Sequence, residues 1–125
     1  MRHAKSDLAL ARDARNAEVL LEALCFHAQQ AAEKAIKALL IASSIPFPRS
    51  HNVRTLLDIV PDAIQRPPEI EETAILTEYA VSSRYPGDFD PVSEDEYVEA
   101  LRLAESVVAW VSKHLSEMEH TSETE

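Results

Sequence analysis

Apolar residues along this chain recur at steps of three and four, not two, so its ordered segments read as helices. Leu8, Ala11 and then Ala14 or Arg15 give that spacing over residues 4–16. A second helix is predicted over 18–43, where Leu21, Leu24, Ala28, Ala31, Ala32, Ala35 and Leu39 fall in one arc at about 100° per residue. The pattern leaves open whether the chain turns near Asn16. Ser43 and Ser44 end the second helix, and Pro46 and Pro48 prevent its continuation. A short helix over 53–60 follows, with Asn52 as N-cap and Leu56 and Leu57 as its apolar contribution. Pro61 stops it, and Pro67-Pro68 opens a fourth helix over 69–83, with Glu69, Glu71 and Glu72 in its first turn facing the positive end of the helix dipole.

Pro86, Gly87 and Pro91 forbid a helix over 84–92. The last helix has the clearest start in the chain. Ser93 at N-cap and Glu96 at N3 form a capping box, preceded by Val92. Tyr97, Leu101, Ala104, Val108, Val111 and Leu115 then repeat at steps of four and three, giving an amphipathic helix to about residue 116. Residues 117–125 are polar and acidic and are expected to be disordered. The pattern predicts one all-α domain of about five helices over 1–116.

Composition narrows the function classes. A single Gly and 6% aromatic residues favour helices over tight β-turn folds. Cys25 is the only cysteine, so no disulfide framework exists and a reducing compartment is expected. No apolar run approaches the ~20 residues of a membrane span, which makes a soluble cytoplasmic protein without membrane attachment the expectation.

The net charge of −10 is unevenly spread. Residues 1–57 hold eight Lys or Arg against five Asp or Glu, whereas residues 58–125 hold four against seventeen. That distribution argues against a diffuse basic surface for nucleic acid and leaves room for a local basic site in the first half.

The second helix offers the best place for chemistry. His27 and Lys34 lie together on one shoulder, seven residues apart, while Phe26, Gln30, Glu33 and Lys37 share the face opposite the apolar arc. One reading makes that polar face solvated or subunit-facing, with Glu33 and Lys37 as an i,i+4 ion pair and Phe26 favouring an interface. The other makes it a pocket where His27, Gln30, Lys34 and Lys37 recognise a phosphate or nucleotide, with Lys supplying point charges and His and Gln directional hydrogen bonds.

His27 and His51 lack partners at metal-site spacing, so neither a metal nor a cofactor is expected. Cys25 and His27 project to different helix faces and cannot form a nucleophilic pair. The only Gly, Gly87, excludes a glycine-rich phosphate loop. His51 beside Asn52 is read as a capping or packing histidine as well as a site candidate.

The order of these features resembles the HEPN-domain family over about residues 5–116. The resemblance rests on Asp7-Leu8, on Cys-Phe-His-Ala-Gln-Gln-Ala-Ala-Glu-Lys-Ala-Ile-Lys-Ala-Leu-Leu at 25–40, and on Pro48-Arg49-Ser50-His51. It also rests on Tyr79 with Ser83-Arg84-Tyr85-Pro86-Gly87, and on the last helix with Ala104-Glu105 and Trp110-Val111. The resemblance implies an antiparallel bundle that dimerises and is often paired with a minimal nucleotidyltransferase as toxin and antitoxin. Many members are metal-independent ribonucleases, in which an Arg is followed after four to six residues by a His. Arg suits the developing phosphorane charge, and His suits proton transfer at a 2′-OH.

This chain departs from that motif. Arg84 occupies the arginine's place, but Phe89, Asp90 and Pro91 stand where the histidine is required. The resemblance therefore favours a nucleotide- or phosphate-binding partner subunit, with His27, Gln30, Lys34, His51 and Arg84 as candidate ligand residues. The alternatives are a ribonuclease with a diverged site using Arg84 with His51 or His27, and a dimeric scaffold with no ligand.

Overall fold

The protein is described from a computed structural model, which covers residues 1–13, 20–50, 52–71 and 93–124. Its helices are α1 (Arg2–Ala11), α2 (Leu21–Ala42), α3 (Val53–Ile59) and α4 (Glu94–Thr124), with residues 68–71 also helical. The fold is all-α, an antiparallel bundle, and no strand occurs among the described residues. Most of the predicted fourth helix and the Arg84 loop lie outside the described residues.

α2 is the central element and packs against α4, α1 and α3, while α1 also touches α4. The reason lies in its side chains. Ala28, Ala31, Ala32 and Ala35 are fully buried, and such small residues let neighbouring helices approach closely. Ile36, Leu39 and Leu40 then fill the wider part of the core with Leu56, Leu57, Leu103, Val107 and Val111. The buried stripe of α4 is broader than its four-three repeat predicted, because Ala100, Leu103, Val107 and Trp110 join it.

The helix ends follow local chemistry. At α2, the Ile45 amide donates to the Leu40 carbonyl (2.9 Å) and the Ser44 amide to the Ile41 carbonyl (3.0 Å), a Schellman motif. Ser44 takes the left-handed position with φ 58°, where glycine would be easier. Asn52 caps α3 by accepting from the amides of Arg54 (2.8 Å) and Thr55 (3.3 Å). The predicted capping box of α4 is present in both directions, Glu96 amide to Ser93 Oγ at 3.1 Å and Ser93 amide to Glu96 Oε1 at 3.2 Å.

Two boundaries differ from the pattern. α1 ends at Ala11, not near 16, and its last carbonyl accepts the buried Tyr97 hydroxyl at 2.6 Å. That bond supplies from α4 a partner that a further helical turn would otherwise have given. α4 runs on to Thr124 although its apolar stripe stops at Leu115, since the residues beyond it contain neither Gly nor Pro and helix propensity does not break there.

Longer-range polar bonds pin the segment after α3. Trp110 Nε1 donates to the Gln65 carbonyl at 2.9 Å. Arg66 donates to the Leu57 carbonyl at 2.6 Å and pairs with Glu71 at 3.3 Å, and Arg54 holds the other oxygen of Glu71 at 2.8 Å.

Candidate functional site

The inward face of α1 is set by Ala4, Leu8 and Ala11, all buried against α2. Asp7 sits three residues after Ala4 and four before Ala11, so the same helical register carries a carboxylate into the seam. A buried carboxylate requires partners. α2 provides two. His27 Nδ1 lies 3.1 Å from Asp7 Oδ1, and Lys34 Nζ donates to Asp7 Oδ2 at 2.6 Å. His27 and Lys34 are two helical turns apart on one shoulder, and the carboxylate spans the gap with one oxygen for each.

Exposure grades outward through the cluster. The Asp7 side chain is 11% exposed, that of His27 34% and that of Lys34 41%. Burial by itself pushes the Asp7 carboxyl up. The hydrogen bonds from Lys34 and His27, with the charges behind them, outweigh burial and hold it below its ordinary value of 3.8.

An ionised carboxylate only accepts, so the proton between Asp7 and His27 belongs to Nδ1. That tautomer leaves Nε2 as the second working atom of the ring, an acceptor when the imidazole is neutral and a donor when it is charged. Phe26 meets His27 edge-on with ring centres 5.6 Å apart, which further limits its rotation. Lys34 uses one of its three N–H groups on Asp7 and retains two. The cluster therefore presents directed donors at a partly exposed seam, with Asp7 cancelling part of their charge.

The predicted residues are only partly brought together. His27 and Lys34 meet through Asp7. Gln30 lies between them along the helix and is half-buried, but it makes no hydrogen bond to the cluster. His51 and Arg84 lie outside the described residues.

The predicted polar face of α2 is corrected at one position. Glu33 is 3% exposed and has a partner, so it does not belong to a solvated face. A face assigned by angle alone misplaced it, because neighbouring elements cover that part of α2. Phe26 is 58% exposed, as an outward position requires. Asp7 is not among the residues that the sequence pattern nominates for the site. Its signal is a charged residue in register with Ala4, Leu8 and Ala11, a placement that demands a cationic partner.

Among the described residues no group of His, Cys, Asp or Glu is arranged to hold a metal ion, and no helix is long and apolar enough to cross a membrane. The HEPN domain family matches residues 1–115. This chain belongs to the HEPN family. The HEPN bundle is also similar to a protein of known crystal structure, TT1696 from Thermus thermophilus. The two are 33% identical, with 90% of this chain and 98% of that chain covered at a TM-score of 0.58. No curated protein matches the chain. The residues that join Asp7, His27 and Lys34 thus lie inside the HEPN region itself.

Proposed function

We propose that this HEPN protein is a cytoplasmic, homodimeric subunit that binds a phosphate or nucleotide. It would act beside a minimal nucleotidyltransferase in a toxin–antitoxin-like pair. One observation carries the binding reading: a single buried carboxylate orients His27 and Lys34 on the same seam. The charged imidazole then offers its Nε2 proton, and Lys34 two Nζ protons, to one incoming anion, with little side-chain entropy left to lose. Gln30 flanks them, and His51 and Arg84 are assigned to the same ligand on the family resemblance. The exposed Phe26 next to His27 supports a second copy covering this edge of α2.

Calorimetric titration with ATP, AMP and inorganic phosphate tests the reading. Saturable heat is expected for at least one of them, weakened at least tenfold by His27→Ala and by Lys34→Ala. Absence of heat with all three, in protein that is folded and dimeric, sinks it. Co-purification of a nucleotidyltransferase with the tagged protein tests the pairing separately.

A second reading draws on the same dyad. A histidine whose Nδ1 is held by a carboxylate presents Nε2 as a general base, which suits 2′-OH activation in RNA. That reading expects cleavage of RNA in the presence of EDTA, abolished by His27→Ala or Arg84→Ala. RNA left intact by wild-type protein removes it.

A further inference from the structure

A second site lies on α4, away from the Asp7 cluster in its lining. Two clefts adjoin there, of about 670 Å³ and about 300 Å³, and they share Gln65, Trp110 and Lys113. None of Asp7, His27 and Lys34 lines either one. Both volumes fall in the range of small-molecule sites, roughly 300–1,000 Å³. The walls of the larger cleft include Pro67, Pro68, Ala109 and Trp110, which form an apolar surface. The Trp110 indole N–H is committed to the Gln65 carbonyl, which fixes the ring beside the cleft.

The charges around the clefts divide into committed and uncommitted. Glu105 pairs with Arg12, and Arg66 is held by Glu71 and the Leu57 carbonyl. Glu69 and Glu117 are engaged as well. Lys113 and His114 have no ion-pair or hydrogen-bond partner among the described residues. Lys113 stands where the two clefts meet, and His114 lines the smaller one. An apolar slot leading to two uncommitted nitrogen donors is complementary to a flat apolar body with an anionic end.

We propose that this cleft binds a small aromatic or acyl anion. Its apolar part lies along Pro67, Pro68 and Ala109, and its carboxylate or phosphate ester meets Lys113 and His114. Charge complementarity supplies the recognition. Arg12 offsets part of the opposing charge of Glu105, and Glu69 and Glu117, which also line the clefts, have partners of their own.

Trp110 is the only tryptophan of the chain, so its fluorescence reports occupancy directly. The full-length protein is titrated with benzoate, phenyl phosphate and benzyl alcohol while Trp110 emission is followed. Saturable change with at least one anion is expected, at least tenfold tighter than with the alcohol. Tighter benzoate binding identifies a carboxylate ligand, and tighter phenyl phosphate binding a phosphate ester.

Lys113→Ala with His114→Ala should weaken anion binding at least tenfold without loss of helicity, and Lys113→Arg should restore part of it. Equal binding of benzyl alcohol, insensitivity to the double substitution, or no saturable change with either anion overturns the proposal. Binding that is lost on His27→Ala but kept in the Lys113/His114 variant also overturns it, since that result places the anion at the α1–α2 seam.

Discussion

The α1–α2 seam and the α4 cleft both carry a lysine and a histidine, but they treat them differently. At the seam, Asp7 takes a hydrogen bond from each, so the cations are oriented and partly neutralised. At the cleft, Lys113 and His114 have no partner among the described residues, while the acidic groups around them are already engaged. The first arrangement contributes to stability as well as to any binding, because breaking it leaves a buried group unpaired. The second contributes almost nothing to folding and is free to contribute to binding. Charge count alone does not separate the two sites; commitment of the charges does.

That contrast can be broken most severely at Trp110. Trp110→Ala removes a buried lining residue of the cleft and the tie to Gln65, and should cost about 3–5 kcal/mol, read by chemical denaturation. A loss under about 1 kcal/mol would mean that the cleft wall is not anchored by this ring.

Asp7→Ala should cost about 1–3 kcal/mol, since Lys34 and His27 lose their shared acceptor and the seam loses a satisfied buried group. The double substitution of Lys113 and His114 should stay within about 0.5 kcal/mol of wild type. Equal losses from the two would erase the distinction between the sites.

The pH dependence sharpens the same point. The Asp7 carboxyl is held below 3.8 in the folded protein, so its stabilisation is present above that value and is lost as pH falls through the lowered folded value. The stability gap between wild type and Asp7→Asn should therefore close as pH falls below about 4. A gap that does not change between pH 5 and pH 2 would show that Asp7 is not ionised in the seam.

The smallest effect is expected at the end of α2. Ser44→Gly relieves a left-handed residue that costs roughly 1–2 kcal/mol, offset by up to about 1 kcal/mol of glycine entropy. A net gain of about 0.5 kcal/mol should appear in thermal denaturation without change at either site.

Much of this was legible beforehand where the signal is local. The Ser93–Glu96 box, the Asn52 cap and the alanine arc of α2 depend on residues within a few positions of one another, and all three appear in the fold. The seam was half legible. His27 and Lys34 could be placed on one shoulder of α2 by angle, but Asp7 is 20 and 27 residues away from them. No periodicity within one helix connects such positions. Glu33 failed for the same reason, since its burial depends on what packs over α2 and not on α2 itself.

Sequence by itself determined the helical class, the caps at Asn52 and Ser93, the alanine stripe of α2 and the family, because each is encoded by short-range spacing or by an ordered set of motifs. Only the tertiary structure decided which charges are spent and which are free. Those outcomes depend on helix packing, which brings Asp7 under His27 and Lys34 and Arg12 to Glu105, and leaves Lys113 and His114 unpaired among the described residues.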